Sequence, residues 1–138
     1  MYRDTVTVFN RYNGTWKGTV LTGVDLNTDR AMMLRTYGEN SQDRSKLHIK
    51  YTEKNGNTYV NSYKFVAPAE YTGADGTFTL AEGNNASFYM EGTAPLFSAS
   101  DDSYLDGFFD YMNSHYDVFT ITSVAKYSVI PHFEIIAR

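Results

Sequence analysis

No cysteine occurs among the 138 residues, so the chain has neither a disulfide framework nor a thiolate metal site, and no thiol can serve as a nucleophile. Proline is scarce, at three positions, and no run approaches the roughly 18 consecutive apolar residues that a membrane-spanning helix needs. The opening "MYRDTVTVFNRY" is charged and alternating, without the apolar stretch of a secretory signal; a soluble protein assembled in the cytoplasm is expected. The sequons at Asn13 and Asn85 then read as chance matches in turns. Basic residues are not in excess either: 12 Lys and Arg stand against 16 Asp and Glu, a net charge of −4. That excludes a protein that grips nucleic acid through a phosphate-neutralising patch, while leaving room for one past which DNA slides. G-x-S-x-G, Walker and dinucleotide fingerprints are all missing, and with them the common nucleophile and phosphate sites.

What is abundant is aromatic. Twelve Tyr and nine Phe within a 42% hydrophobic composition fit half-buried pleated surfaces and exclude a disordered chain. "DTVTVFNRY" alternates at strand period, Asn13-Gly14 is suited to a type I′ turn, and "TWKGTVLTGVDL" continues as a second strand. A strict two-residue turn places Phe9 opposite Gly18, which leaves that aromatic face thinly matched. A second hairpin turns at Asn55-Gly56 in "KLHIKYTEKNGNTYVNSYKF", setting Tyr51 across from Val60 and Thr52 across from Tyr59. Short strands follow at Thr77 to Leu80 and Ser87 to Met90, and two more close the pattern in "DVFTITSVAKY" and "VIPHFEIIAR".

Two stretches change period. "NTDRAMMLRTYG" reads as a short helix capped by Thr28 or Asp29 and stopped at Gly38, within an excursion from about 27 to 45. In "DDSYLDGFFDYMNSHYD", Leu105, Phe108, Phe109 and Met112 form one apolar stripe, with Asp101, Asp102 or Ser103 as caps. The expected fold is a single mainly β domain spanning 1–138: a small antiparallel β-barrel or sandwich with one amphipathic helix and a short helical insertion. Pro131, which has no N–H for a ladder, belongs at the first residue of the final strand or on a sheet edge.

The candidate chemistry is sparse. His48, His115 and His132 lie in three different elements without metal-ligand spacing, so two strand residues and one helix-end residue is the reading preferred over a zinc site. Asp101, Asp102, Asp106 and Asp110 could form a glycosidase-type acid pair, but their spacing fits caps and the solvated face of a helix. Tyrosines on the hairpins could stack sugars or bases; cross-strand packing is the commoner use. Adjacent Met32 and Met33 cannot both face one core, so one of them is expected to meet a partner or the neighbouring loop while the other packs within the domain.

Three stretches, "DTVTVFNRY", "GTVLTGVDL" and "FTITSVAKYSVIPHFEI", resemble a family of small structural proteins of tailed phages and prophages of Gram-positive bacteria, similar to head-closure or stopper proteins. The resemblance implies a non-enzymatic virion protein without cofactor or metal. It would form a ring in the neck, at the head–tail junction, between portal or adaptor and tail proteins, and double-stranded DNA would pass through without specific binding. Contacts with neighbouring copies or partners are expected at Met32, Met33, Pro131, His132, Phe133 and Glu134, and an acidic channel lining at Asp101, Asp102, Asp106 and Asp110. Adaptor, tail-terminator and minor tail roles stay open. The alternative is a carbohydrate- or ligand-binding β domain of a receptor-binding structure that uses Trp16 and exposed tyrosines as platforms. A hydrolase built on the Asp101 to Asp110 acids comes third.

Overall fold

Asn13 and Gly14 both hold positive φ, 50° and 73°, as a type I′ turn requires. They join β1 (Asp4–Tyr12) to β2 (Thr15–Asn27) in the register that this turn dictates, with Phe9 opposite Gly18. A computed structural model describes residues 2–28, 44–83, 86–94 and 107–138. After β2 come β3 (Ser45–Lys50), β4 (Thr52–Lys54), β5 (Asn57–Val60), β6 (Tyr63–Phe65), a 3-10 turn (Pro68–Glu70), β7 (Thr77–Phe78) and β8 (Ser87–Glu91). Helix α1 (Phe108–His115), β9 (Val118–Tyr127) and β10 (His132–Ala137) complete the described elements. The helical excursion, with Met32 and Met33, lies outside the described residues, as do Asp101, Asp102, Leu105 and Asp106.

Six strands close into an antiparallel barrel in the order β1-β2-β3-β10-β9-β8. Strand β2 serves two neighbours: its first part lies along β1, and Asp25–Asn27 pair with β3 after Gly23, whose φ of 67° suits a residue without a Cβ. The expectation of a mainly β barrel with one helix is met. Strand β10 pairs with β3 on one side and β9 on the other, so the barrel has no open edge there. Pro131 is therefore at neither expected place. It ends the turn that precedes β10, where its missing N–H removes no ladder bond, and its carbonyl accepts the Tyr51 N–H at 3.3 Å.

The remaining strands form a small sheet, β4-β5-β6-β7. The Asn55-Gly56 hairpin pairs Thr52 with Tyr59 as its register predicts. The segment read as a strand from Thr77 to Leu80 is shorter, Thr77–Phe78, and pairs in parallel with β6, which no local turn signal encodes. This sheet joins the barrel's core: Val60 and Phe78 are buried in the same cluster as Val6, Val8, Leu21, Leu47, Ile49 and Ile135. Phe65 bridges the two layers, 4.8 Å from Phe133 and 5.7 Å from Phe78 between ring centroids.

Strand β1 is buried on both faces. Val6 and Val8 point into the barrel, while Phe9 lies in a second cluster with Trp16, Phe88, Met90, Phe108, Met112 and Val118. The Phe9 face is thus not thinly matched. Phe9 stacks on Phe88, its partner on β8, at 4.8 Å, and Phe108 of α1 closes on it at 5.5 Å. Helix α1 places Phe108 and Met112 inward as the stripe predicts, with Asp110 on the solvent side. Its N-cap is Gly107, without a side-chain capping bond, rather than Asp101, Asp102 or Ser103.

Candidate functional site

Alternation along β3 and β10 sets the site. Leu47 and Ile49 on β3, and Phe133 and Ile135 on β10, enter the core, so Lys46, His48, Lys50, His132 and Glu134 share the outer wall. The pairing then builds rows across the barrel: Lys50 opposite His132 opposite Tyr127, and Asp25 opposite His48 opposite Glu134 opposite Ala125. Two of the three histidines, far apart in sequence, are neighbours here, with ring centroids 5.6 Å apart. His115 is separate, in the last turn of α1, with Nδ1 2.8 Å from the Tyr111 carbonyl oxygen.

Glu134 is the hub. Its Oε2 accepts from His132 Nε2 at 3.0 Å, and its Oε1 lies 3.5 Å from both Lys46 Nζ and His48 Nε2. Both nitrogens of His132 face acceptors, since Nδ1 is 2.6 Å from the Ile130 carbonyl oxygen. Only the imidazolium donates to both, and these two bonds, that of Glu134 foremost, raise the His132 pKa above its ordinary value. The same bond lowers the pKa of Glu134. His48 goes the other way: burial lowers its pKa, against the pull of Glu134, and keeps its ring neutral at pH 7. The wall therefore sets two histidines with opposite tendencies around one carboxylate, His132 held toward the charged form and His48 toward the neutral one.

This cluster braces the turn Ser128–Pro131. The Tyr127 ring lies flat on His132, 4.9 Å away at 11°, and the Tyr127 carbonyl accepts the Tyr51 hydroxyl at 2.7 Å. At the tip of the braced turn, Val129 is 95% and Ile130 75% exposed. Beside it opens a pocket of about 560 Å³, walled by Tyr2, Tyr51 and Tyr59 and by Ile130 and Pro131, with Lys50, Thr52, Asn61 and His132 as its polar groups. Asn61 is held by Thr22, whose N–H it accepts at 2.9 Å and whose carbonyl takes its amide N–H at 3.2 Å.

Of the segment expected to meet neighbours, Phe133 is 1% exposed and packs inward, because strand alternation forbids Pro131 to Glu134 from presenting one continuous face. Trp16 is 3% exposed, locked under α1, so it cannot be a stacking platform. The pairing of His48 with Glu134 and His132 escaped sequence reasoning; the outward alternation of "KLHIK" and "PHFE" was the available signal, but the β3–β10 register was not. Among the described residues, no group of three or more His, Cys, Asp or Glu side chains could hold a metal ion, and no helix is long and apolar enough to cross a membrane.

Comparison with known proteins gives a single result: a model of the family DUF6751, described as a family of unknown function, matches residues 1–138. No curated protein and no solved structure matches the chain.

Proposed function

We propose that this chain, which belongs to DUF6751, is a non-enzymatic structural subunit, a ring-forming connector of the head-closure, stopper or adaptor kind in the neck of a virion. The observation that carries the proposal is the braced turn with Val129 and Ile130 exposed at its tip. Fully burying one such side chain is worth about 1.5–3 kcal/mol, and a turn already fixed by His132 and Tyr51 loses little freedom on docking. The occupant is a second copy or an adjoining portal, adaptor or tail protein. Strand addition is the weaker route to such a contact: the outer strand β4 is three exposed residues that include Glu53 and Lys54, and β7 is two residues long. A net charge of −4 suits a wall past which duplex DNA moves without specific binding.

Native mass spectrometry of the purified protein, together with electron microscopy of the particle neck, tests the reading. The expected outcome is a closed ring, or a complex with portal or tail proteins, that Val129→Asp combined with Ile130→Asp dissociates. A chain that stays monomeric at high concentration and is missing from purified virions overturns it.

The pocket beside the turn supports a second reading, a ligand-binding β domain of a tail or receptor-binding structure. With Trp16 buried, such binding falls to the tyrosines of the pocket.

A further inference from the structure

We infer that the pocket at the base of the β9–β10 turn binds a ring that carries a carboxylate, and that an acidic sugar residue is the ligand class its walls fit. The inference rests on the ligand-binding reading and concerns the unassembled chain, since Ile130 is shared between the pocket rim and the proposed docking tip. At about 560 Å³ the pocket has the size of a small-molecule site, which typically spans roughly 300–1,000 Å³.

Charge is the first argument. The chain as a whole is acidic, yet no carboxylate lines the pocket, whereas Lys50 and His132 stand side by side on its wall through the β3–β10 pairing. Their roles differ. His132 has its ring nitrogens turned to the Ile130 carbonyl and Glu134, whose carboxylate offsets its charge, so it contributes no free donor and the available charge is that of Lys50. Lys50 is in no ion pair among the described residues; its Nζ sits 4.1 Å from the centre of the Tyr2 ring, a contact that leaves ammonium hydrogens for an incoming acceptor. A carboxylate at Lys50 would form a charge-assisted hydrogen bond, the strongest polar contact this wall can offer.

Shape and the remaining groups supply the ring. Tyrosine faces and the apolar rim at Ile130 and Pro131 suit the C–H face of a pyranose, and the exposed Thr52 hydroxyl suits its hydroxyl groups. The Asn61 amide is held rigid by Thr22, which takes one of its two N–H groups. One available ammonium is too little for a polyanion, whose affinity grows with the number of phosphates neutralised.

The test is a titration of the full chain, ¹⁵N-labelled, by NMR, with glucuronate, glucose and acetate as probes. Glucuronate is expected to shift the amides of Lys50 to Thr52 and Ile130 to His132 saturably, and to bind roughly tenfold or more tightly than glucose or acetate, the margin of one charge-assisted hydrogen bond. Lys50→Gln, a change at an exposed position that should leave the spectrum folded, is expected to erase that margin, and Lys50→Arg to keep most of it. Equal binding of glucose or acetate would retain a ligand site but overturn the acidic-sugar inference. An unchanged affinity in Lys50→Gln would overturn the role of Lys50 and with it the inference. Absence of any saturable shift at these amides would remove both the inference and the ligand-binding reading.

Discussion

Asn10 shows how much one buried polar side chain can organise. It is 1% exposed, donates to the Thr79 carbonyl at 2.7 Å and to Ser87 Oγ at 2.9 Å, and accepts the Thr79 N–H at 3.0 Å. The segment after β7 forms no ladder with the barrel, so this amide stands in for strand pairing. Asn10→Ala would strand the Thr79 N–H and carbonyl and is expected to lower stability by about 1–3 kcal/mol for each buried group left unmet. Asn10→Asp keeps the acceptor for the Thr79 N–H but sets a carboxylate against the Thr79 carbonyl in a dry site, and is expected to lose stability as well. Urea denaturation of the two variants measures both losses, and variants as stable as the parent chain would remove the organising role. Nothing in "VTVFNRY" announces it; an asparagine that continues the inward parity of Val6 and Val8 reads as the end of the apolar face until its partner 69 positions away is known.

Helix α1 and the hairpins divide what local patterning can and cannot foretell. The two Asn-Gly turns were legible because positive φ is a property of two residues, and the Phe108–Met112 stripe because helical period is a property of one segment. Which layer the stripe would meet was not legible, since Phe9, Trp16 and Phe88 become one surface only after β1, β2 and β8 pair. The parallel β6–β7 pairing and the small sheet's share in the core are nonlocal in the same way. Phe108→Ala should cost about 3–5 kcal/mol, as removal of a buried ring usually does. Hydrogen exchange would locate the loss: faster exchange in α1 ahead of Leu47 and Ile135 is the expected order, and uniform acceleration would show that helix and barrel unfold together.

For the molecule as a whole, the histidine wall ties stability to pH with opposing signs. His132 has a raised pKa, so the stability it contributes is complete below the unfolded value near 6.5 and disappears as pH climbs through the folded value. His48 has a lowered pKa; below about 6.5 the unfolded chain takes a proton that the folded one resists, and stability falls with falling pH. Glu134, also lowered, adds a further loss as pH drops from its ordinary 4.5 through its folded value. A thermal midpoint plotted against pH should therefore decline on both sides of neutrality, with the alkaline decline reduced in His132→Gln and the first acid decline reduced in His48→Gln. Profiles unchanged by either substitution would remove these rings from the linkage. Closure of the barrel has a kinetic corollary. Strand β10 sits between β3 and β9, so a nascent chain from which residues 132–137 have not yet emerged has two vacant ladders and no way to complete the ring. Maturation must then await this closing stave, and excising it should yield an aggregating chain rather than a shorter barrel.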